Sequence, residues 1–583
     1  MQQKPVRQHP LAPHDVLVTD YLVYWAAAKP ETPAITFTDH SVDRAGISRT
    51  VTYAELDGWT GAVAEEIARL VRPGGRAAVL CPQGIEYVVA FLGALRAGVV
   101  CVPLFPPELP GHRDRLLAAL TDCRPDCVVA TTRTTGVQAG ELPHDAAVVF
   151  VDLFADRDGS RFVGGGPQSF DDLAYLQYTS GSTRAPAGVR LTHRNLVANA
   201  RQIVEAFELP HGETTAVSWL PLFHDMGLLL GGPGAIVCGA HVHLMDPLAF
   251  LMKPRRWIEA MTWRPNVISA APNFAYGYAA KRLEDADLAA ADLSGVRALL
   301  NGAEPVRPRT VRAFLERCAP AGLRPEVCSP CYGLAEATVF VARSPVSEPP
   351  SLRTFDAADR QLGRLRTAGP DVLTVELASC GSAVGQQLEI VDPMTRHLLP
   401  DGDIGEIWVH GPNVAAGYWE QGEATAATFD GTLASAPEGL PAHGWLRTGD
   451  LGAVVDGELY VTGRRKDLII VDGRNIYPQD LEAALESVDP VIAAHRSAAF
   501  AAPGPDGERV IVVAERRRDA RDAAARHDAI TIAARALLSR DMALTLHELV
   551  LVEPDTIPRT TSGKIARLRT RDAYLNGTLA RVV

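Results

Sequence analysis

The chain has 583 residues, 47% of them hydrophobic and 22% charged, and a formal net charge of −12. This length is too great for one hydrophobic core, so several domains are expected, and the balanced composition excludes wholesale disorder. The negative charge argues against a general binder of nucleic acid or anionic membranes, because such affinity comes largely from clustered Lys and Arg.

Targeting signals and cysteine usage point to a cytoplasmic protein. Residues 1–10 are polar, which argues against a secretory signal. The most apolar stretch, residues 226–240, is broken by Gly and Pro and is too short to span a bilayer, so we expect no membrane span. The nine cysteines, including the pair Cys328 and Cys331, are expected to be reduced core thiols. His241 and His243 share one face of a predicted strand, where packing is expected and a metal site is the alternative.

Residues 50–340 alternate short β-branched runs with amphipathic segments rich in Ala and Leu. The strand and helix candidates are, in chain order, residues 76–80, 85–97, 99–104, 127–130, 148–151, 173–178 and 267–270. This alternation predicts strand and crossover-helix units, and hence an α/β fold with a parallel sheet. From about residue 380 the pattern changes to short strands and turns, which favours a β-rich subdomain ending at Gly463. The charged residues 464–467 predict a hinge to a smaller α+β domain.

A loop rich in hydroxyl groups and glycine follows the apolar residues 173–178 directly. Residues 178–188 read YTSGSTRAPAG. Glycine lets backbone N–H groups turn toward an anion, and Ser and Thr hydroxyls add donors or a ligand for Mg²⁺. The loop lacks the Gly-Lys-Ser/Thr ending of a Walker loop, so it indicates a different way of holding polyphosphate.

Five further motifs follow this loop in a fixed order. They are NGAEP at residues 301–305, YGLAEAT at 332–338, RTGD at 447–450, GRRKD at 463–467 and PRTTSGK at 558–564. With them, nearly the whole chain resembles the ANL family of adenylate-forming enzymes, which includes acyl-CoA synthetases, luciferases and peptide-synthetase adenylation domains. The resemblance implies two α/β sheets and a β-barrel-like subdomain over residues 1–463, a hinge at 464–467 and a smaller mobile α+β domain over 468–583.

The resemblance also implies a site that joins a carboxylate to the α-phosphate of ATP and expels pyrophosphate. Both reactants are anionic, so the site must cancel charge and hold them in line. Glu336 would be catalytic and bind Mg²⁺ with Thr179; alone, it would be taken for a helix-capping acid. Tyr332 would lie against adenine, although without the motif it would be taken for a core residue. The residues expected around ATP or AMP are Thr179, Ser180, Gly181, Ser182, Thr183, Asn301, Gly302, Ala303, Tyr332, Gly333, Asp450 and Arg464.

Lys564 is expected to act on the reaction directly. It lies in a Ser-Gly-Lys turn whose glycine is expected to clear space for a long cationic side chain. In the family this lysine bridges the substrate carboxylate and the α-phosphate and stabilises transition-state charge. Lys466 occupies the family's hinge position. The small domain would rotate there, presenting Lys564 for adenylation and the loop of residues 472–475 for acyl transfer.

Three features separate the chain from a typical acyl-CoA synthetase. In the phosphate loop, residues 184–188 read RAPAG where many relatives carry GKPKG, so two lysines are missing. The sequences WLP at 219–221, HDMG at 224–227 and APNF at 271–274 resemble the fatty acyl-AMP ligase branch. An extra segment at about residues 344–379, expected to be an ordered flap, resembles the insertion of that branch, which is taken to hinder reaction with coenzyme A. A plain surface loop is the alternative.

The acyl pocket is expected to be apolar, since each buried CH₂ contributes about 0.8 kcal/mol. Its candidate residues are His224, Met226, Asn273 and Phe274. We predict a Mg²⁺- and ATP-dependent fatty acyl-AMP ligase whose product passes to the phosphopantetheine arm of an acyl carrier protein of a polyketide or nonribosomal peptide synthase. The alternatives are a long-chain acyl-CoA synthetase and, from another class, a non-catalytic acyl-nucleotide sensor or scaffold. No nucleic-acid partner is expected.

Overall fold

The computed structural model describes residues 16–109, 112–137, 146–162, 164, 168–179, 187–262, 264–504, 507–560 and 563–582. The elements up to residue 245 are α1 (Val18–Ala28), β1 (Pro33–Asp39), β2 (Ile47–Thr52), α2 (Tyr53–Leu70), β3 (Arg76–Val79), α3 (Ile85–Arg96), β4 (Val100–Pro103), α4 (Arg113–Cys123), β5 (Cys127–Ala130), β6 (Ala147–Phe150), β7 (Leu173–Thr179), β8 (Ala187–Thr192), α5 (His193–Ala206), β9 (Thr215–Ser218), α6 (Asp225–Gly231), α7 (Pro233–Cys238) and β10 (His241–Met245).

Helices and strands continue in the same way to the last described residues. Those up to residue 410 are α8 (Pro247–Met252), α9 (Arg255–Met261), β11 (Val267–Pro272), α10 (Asn273–Arg282), α11 (Asp285–Ala289), β12 (Val296–Gly302), α12 (Pro308–Cys318), β13 (Cys328–Tyr332), β14 (Ala342–Arg343), β15 (Leu352–Asp356), α13 (Ala357–Gln361), β16 (Thr374–Ala378), β17 (Ser382–Ala383), β18 (Gln387–Val391) and β19 (Gly405–His410). The rest are α14 (Gly422–Phe429), β20 (Leu446–Val455), β21 (Glu458–Arg464), β22 (Ile469–Val471), β23 (Arg474–Ile476), α15 (Pro478–Leu485), β24 (Ile492–Gly504), β25 (Gly507–Arg516), α16 (Ala523–Met542), β26 (Glu548–Val552) and α17 (Arg567–Leu575).

Two large sheets form the body of the protein. The six-stranded sheet has the order β6-β5-β3-β4-β7-β8, and all its pairs except β7-β8 are parallel. The nine-stranded sheet has the order β17-β14-β13-β12-β11-β9-β10-β1-β2, with a parallel run from β13 to β1. Strand β5 is buried at every residue, as expected for parallel strands covered by helices on both faces. The predicted α/β class is therefore confirmed.

Local sequence signals start the helices that pack on these sheets. Helix α2 begins at a capping box, in which the Glu55 N–H donates to Thr52 Oγ1 at 3.2 Å and the Thr52 N–H donates to Glu55 Oε2 at 2.7 Å. Large aromatic side chains fill the space between helix and sheet; for example, Trp219 stacks on Phe250 with ring centroids 4.0 Å apart. The sheets thereby give rigid support to the loops at their edges.

A four-stranded antiparallel sheet, β18-β19-β20-β21, accounts for the predicted β-rich subdomain. The segment of residues 344–379 forms the hairpin β15-β16 with α13 in its connection. Phe355 of this hairpin packs in a small core with Ala453 and Tyr460 of the four-stranded sheet. The segment is ordered, as the sequence predicts, while its effect on function stays a prediction.

The chain after residue 468 builds a smaller α+β unit. Its sheet has the order β24-β25-β26, with β24 antiparallel and β26 parallel to β25. A separate hydrophobic cluster joins this sheet to α15 and α16. Strand β21 ends at Arg464, and a single turn over Arg465–Asp467 leads into β22. These elements agree with the predicted small domain, whose boundaries and hinge stay predictions.

The cysteines and the histidine pair have core environments. All nine cysteines lie in described residues and are free thiols, eight of them buried. The rings of His241 and His243 lie 4.2 Å apart, and burial lowers their pKa values to about 4 and about 3. No group of three or more His, Cys, Asp or Glu suited to a metal ion occurs among the described residues. Across the described ranges, every helix is too short or too polar to span a bilayer.

Candidate active site

A cavity of about 1750 Å³ brings most of the predicted site residues together. Strands β11, β12 and β13 are parallel neighbours, so their carboxyl ends meet at one edge of the sheet, where open α/β sheets bind ligands. The sequence motifs of residues 271–274, 301–305 and 332–338 begin at these ends. The predicted residues that line the cavity are Thr179, His224, Met226, Asn273, Phe274, Gly302, Ala303, Tyr332, Gly333, Glu336, Asp450, Arg464, Lys466 and Lys564.

Two sets of predicted nucleotide-binding residues do not line the described cavity wall. Ser180, Gly181, Ser182 and Thr183 lie outside the described residues; Thr179 ends β7 just before them. Asn301 is fully buried behind the wall, and its amide oxygen and nitrogen have no hydrogen-bond partner in the part of the chain that the structure describes. A buried amide without partners is costly, and Asn301 does not reach the cavity surface, so its predicted contact with the nucleotide stays a prediction.

Asp450 is held by two neighbours from separate motifs. The Tyr332 hydroxyl donates to Asp450 Oδ2 at 2.9 Å, and Arg464 Nε lies 3.0 Å from Asp450 Oδ1. Asp450 and Arg464 pair across β20 and β21, so strand register fixes the ion pair. Asp450 is the main reason that the pKa of Arg464 is raised. The carboxylate is thus oriented toward the cavity, with lone pairs left to accept further hydrogen bonds.

Close backbone packing positions Tyr332 and the residues after it. A Cβ at Gly333 would lie 1.7 Å from the carbonyl oxygen of Val339, so no other residue fits there. Thr338 has φ of +67° and ψ of −65°, a strained conformation, and its hydroxyl donates to the Asn413 carbonyl at 2.7 Å. The loop that carries Glu336 is therefore held in one conformation from both ends.

Glu336 lies in this loop with its carboxylate in the cavity wall. The Tyr418 hydroxyl donates to Glu336 Oε1 at 2.9 Å, and the Glu336 carbonyl accepts from the Ala415 N–H at 2.9 Å. Burial raises the pKa of the Glu336 carboxyl, because desolvation outweighs the hydrogen bond from Tyr418 and the nearby Arg464. A carboxylate in this environment is best stabilised by an adjacent cation.

Lys564 enters the same cavity from the small C-terminal unit. Its turn is closed by hydrogen bonds from the Thr560 N–H to the Lys564 carbonyl at 2.9 Å and from the Lys564 N–H to Thr560 Oγ1 at 3.1 Å. Gly563 has φ of +79°, but a Cβ there would meet nothing within 4 Å. The expectation that this glycine clears space is wrong: it supplies a left-handed backbone conformation.

Lys564 is exposed to solvent in the cleft, while nearby protein partly desolvates its ammonium group. Burial lowers its pKa, and the charge of Arg464 lowers it further. Asp225, Glu304 and Asp450 act in the opposite direction. Carboxylates from three separate motifs of the larger part of the chain thus act electrostatically on Lys564.

Glu304 is a further acidic residue in the cavity wall, and the sequence did not suggest a role for it. Its Oε1 accepts from the Phe274 N–H at 2.6 Å, so it joins the ends of β11 and β12. Burial raises its pKa, against the charges of Lys564, Arg307 and Arg559. Ala303, just before it, has φ of +64°, which turns the chain sharply after β12. The same connection places Phe274 and Asn273 at the cavity wall.

An apolar extension of the cavity runs alongside β9 from its carboxyl end to its start. Its wall is formed by α6, α7 and the sheet, and its side chains include Trp219, Leu220, Leu229, Leu230, Ala216, Ala235, Cys238 and Ala240. At about 3.3 Å per strand residue, the five steps from Thr214 to Trp219 span about 17 Å. Met226 follows Asp225 and Phe274 binds Glu304, two acidic residues whose charges act on Lys564, and His224 forms the N-cap of α6. The shape suits an alkyl chain whose polar end lies beside Lys564.

Residues 22–419 match the protein family described as AMP-binding enzyme. The chain belongs to this family. It is 40% identical over 563 residues to the long-chain-fatty-acid–AMP ligase FadD26 of Mycobacterium tuberculosis, which covers 94% of this chain and 95% of the relative. It is also 40% identical, over 95% of this chain and 94% of the relative, to the long-chain-fatty-acid–AMP ligase FadD32 of Mycolicibacterium smegmatis.

Among solved structures, the fatty acyl-adenylate ligase of L. pneumophila in complex with acyl adenylate and pyrophosphate is similar to this AMP-binding enzyme. The match has a TM-score of 0.73 and 32% identity, and covers 100% of this chain and 98% of that chain. The predicted membership of the adenylate-forming enzymes and the resemblance to their fatty acyl-AMP ligase branch are confirmed. The roles of individual site residues in this AMP-binding enzyme stay predictions.

Sequence reasoning missed three residues that support this AMP-binding enzyme's site. Tyr418 reaches Glu336, and the fully buried Asn413 donates to the Ala337 carbonyl at 3.0 Å. Arg360 of the insertion reaches the C-terminal unit. The only local signal for the first two was the run GPNVAAGYW at residues 411–419, whose Gly, Pro and Asn predict turns and not burial.

Proposed function

We propose that this protein activates a long-chain fatty acid as its acyl-adenylate and passes the acyl group to an acyl carrier protein. In the first step a carboxylate oxygen of the acid attacks the α-phosphorus of ATP. The bond between that phosphorus and the oxygen bridging to the β-phosphate breaks, and pyrophosphate leaves. The observation that carries the proposal is the single cavity in which Lys564, Glu336 and Asp450 adjoin an apolar extension. The names of its relatives agree with this reaction.

The nucleoside would be held at the end of β13 and beside β20. Each Asp450 oxygen is already engaged once within the protein, and a carboxylate has about four acceptor positions in total. Both oxygens can therefore accept one ribose hydroxyl each without losing Tyr332 or Arg464. Adenine would lie against the Tyr332 ring, with Gly302, Ala303 and Gly333 along its edge.

Lys564 would bring the two anions together. As the carboxylate oxygen attacks, negative charge moves from it to the phosphoryl oxygens and the leaving pyrophosphate; an ammonium between the carboxylate and the α-phosphate would reduce their repulsion and stabilise the charge on the phosphoryl group. The acidic groups Asp225, Glu304 and Asp450 favour the charged form of Lys564 while the ATP site is empty. The bound anions would then take over that role, so the ammonium stays charged through the reaction.

Glu336 fits the Mg²⁺ that adenylate-forming enzymes use. Its carboxylate is buried, and Tyr418 binds Oε1. Mg²⁺ sites commonly use one or two carboxylates and complete the set with substrate phosphates and water. This agrees with the lack of a larger ligand cluster among the described residues. Glu336 would hold the ion, with the Thr179 hydroxyl nearby, and the bound ion would supply charge neutralisation to the triphosphate.

The second step would need rotation at the turn that contains Lys466. Residues 1–463 would stay fixed, residues 464–467 would act as the hinge, and residues 468–583 would turn. The turn between β22 and β23, with Asp472 at φ of +51° and Gly473 at +73°, would then replace Lys564 at the cleft. Lys466 is exposed at its surface, and partial desolvation and the charge of Arg464 lower the pKa of its ammonium group.

The insertion favours a carrier protein over coenzyme A as acceptor. Arg360 of α13 is 4% exposed, pairs with Asp480 at 2.5 Å and lies 3.9 Å from the ring centroid of Tyr477. It joins the insertion to the small unit and opposes the rotation that free coenzyme A would require. A carrier protein brings additional binding energy with its phosphopantetheine arm, which could drive the rotation. We place the enzyme in the cytoplasm, where ATP and carrier proteins occur.

One incubation distinguishes the proposed function from the two alternatives, an acyl-CoA synthetase and a non-catalytic sensor. The enzyme is mixed with ATP, Mg²⁺ and hexadecanoic acid, and either coenzyme A or a phosphopantetheinylated carrier protein is added. We expect acyl-adenylate, pyrophosphate and acyl-carrier protein by mass spectrometry, and little acyl-coenzyme A. Abundant acyl-coenzyme A would identify an acyl-CoA synthetase. Nucleotide binding without pyrophosphate release would identify a non-catalytic sensor.

A further inference from the structure

Helix α8 presents an apolar face to solvent beside the cavity. Leu248 is 65% exposed, Leu251 39% and Met252 74%. Their spacing of three and four residues puts all three on one side of the helix. Monomeric proteins rarely leave several large apolar side chains together in water unless the surface binds something. This face, called the α8 face below, is defined by Leu248, Leu251 and Met252.

The α8 face is held rigidly in its exposed position. The Leu248 N–H donates to Asp246 Oδ1 at 2.7 Å, which caps the helix. On the opposite side, Phe250 is fully buried and stacks on Trp219, with ring centroids 4.0 Å apart and planes at 7°. The exposed side chains therefore cannot turn inward without breaking this stack. Their exposure is a fixed property of the surface.

The cavity reaches the surface beside this face. Pro247 and Leu251 of α8 and Tyr278 and Arg282 of α10 all line it. The Tyr278 hydroxyl donates to the Leu251 carbonyl, and the Arg282 guanidinium lies 3.8 Å from the centre of the Tyr278 ring. Because Leu251 and Arg282 are exposed, the groove between α8 and α10 is open to solvent.

Helix α10 connects this opening to the reaction site. Asn273 and Phe274 at its start line the cavity near Lys564, and Arg282 ends it. Nine residues at about 1.5 Å each separate the two ends by about 14 Å. A fatty acid entering between α8 and α10 would thus reach the site along a continuous wall, with its alkyl chain against apolar surface.

The charges around the opening match a surface that carries fatty acid. Lys253 follows α8 and Arg282 ends α10, and neither forms an ion pair with an acidic group in the described residues. Asp246 is engaged as the helix cap, and Glu259 pairs with Arg255 at 3.4 Å. Free fatty acids in a lipid layer display carboxylates at its surface. Two unpaired cations beside three exposed apolar side chains complement such a layer.

We propose that the α8 face docks on a lipid surface and that the groove between α8 and α10 admits a fatty acid directly from it. This rests on the proposed function, because it supplies the substrate of that same cavity. The net charge of −12 opposes long-range attraction to anionic lipid, so contact depends on the apolar side chains and is transient. The α8 face could instead bind a second copy of the chain or a partner protein, and the experiment must distinguish these two cases from binding to lipid.

The test compares the wild-type enzyme with the double variant L248S/M252S. Met394→Ser is the matched control, because Met394 is 81% exposed and belongs to the connection between β18 and β19. Co-sedimentation is measured with phosphatidylcholine vesicles that contain hexadecanoic acid. Pyrophosphate release is measured with the same vesicles and, separately, with octanoic acid in solution. None of the three substituted side chains lines the cavity.

We expect L248S/M252S to sediment several-fold less with vesicles and to lose about tenfold in kcat/KM for vesicle-borne acid. Its kcat/KM for octanoic acid and both properties of Met394→Ser should stay at the wild-type level. Equal sedimentation of variant and wild type, or an equal loss with both acids, overturns the proposal. Two other results overturn the proposal. If light scattering shows a wild-type dimer and L248S/M252S only abolishes it, the α8 face binds a second copy of the chain. If L248S/M252S only lowers acyl transfer to the carrier protein, the α8 face binds that partner protein. If the wild type releases no pyrophosphate with either octanoic acid or vesicle-borne hexadecanoic acid, the proposed function itself fails, whatever the sedimentation result.

Discussion

Replacing Tyr332 by Phe tests whether Asp450 must be held in place to bind ATP. Tyr332 and Asp450 are each 7% exposed, and the Tyr332 hydroxyl donates to Asp450 Oδ2 at 2.9 Å. A hydrogen bond to a charged group contributes about 1.5–3 kcal/mol. Since 1.4 kcal/mol corresponds to a factor of ten, we expect the KM for ATP to rise about tenfold or more. Arg464 still holds Oδ1, so kcat should fall less than kcat/KM.

The control for this variant is Tyr460→Phe. The Tyr460 hydroxyl also donates to a carboxylate, Glu458 Oε2, at 2.9 Å, but neither residue lines the cavity. Pyrophosphate release is measured against ATP concentration, and thermal unfolding is measured for both variants. If both variants lose stability and both keep the wild-type KM for ATP, Tyr332 is a core residue and our reasoning about Asp450 is refuted.

Four further changes test other parts of the site. Lys564→Ala should lower pyrophosphate release about 10²- to 10³-fold and leave ATP binding by calorimetry nearly unchanged; normal release would refute its role. Lys466→Pro should impair acyl transfer more than adenylation, and an equal loss in both assays would argue against a hinge. Arg360→Ala should raise acyl-coenzyme A formation at unchanged adenylation; no increase would exclude the insertion contact as the restraint. The half-buried His241 and the buried His243 have pKa values lowered to about 4 and about 3, so the stability that their neutral forms contribute is fully present above about pH 6.5 and is lost as the pH falls from 6.5 toward 3. Urea midpoints should fall over that window, and a flat profile would contradict this.

The parallel strands of the body could be predicted because they are apolar throughout. Residues 127–130 were predicted as a strand and form β5 with the same bounds, since burial on both faces leaves a continuous apolar run. The two-residue strands β14 and β17 at the edge of the large sheet gave no such signal. They exist because their neighbours place them there, so tertiary pairing, and not local propensity, determines them.

The site residues also divide into those that the sequence identifies and those that only the fold brings together. Its motifs identify Asp450, Glu336 and Lys564, because each is embedded in a recognisable local sequence. The groups that orient them come from distant parts of the chain: Tyr418 lies 82 positions from Glu336, and Tyr332 lies 118 positions from Asp450. No spacing rule connects such pairs, since only the completed sheets bring them together. The function of Gly563 was misjudged for a related reason, because clearance and backbone conformation cannot be distinguished from sequence.

The contacts between the large and small parts of the chain explain how one insertion could select the acceptor. Besides the Arg360 contact, Glu486 of the small unit meets Arg307 at 3.5 Å and Arg309 at 3.3 Å. Arg309 is 60% exposed, and exposed ion pairs contribute only about 0–1 kcal/mol, so the Arg309–Glu486 pair would oppose rotation weakly, whereas Arg307 is only 22% exposed. Arg360 differs because its guanidinium is buried against Tyr477 and Asp480, where separating the charges leaves a desolvated cation behind. In the proposed mechanism, a large share of the resistance to rotation would therefore come from the contact that the insertion supplies, and the acceptor would have to bring the binding energy that breaks it.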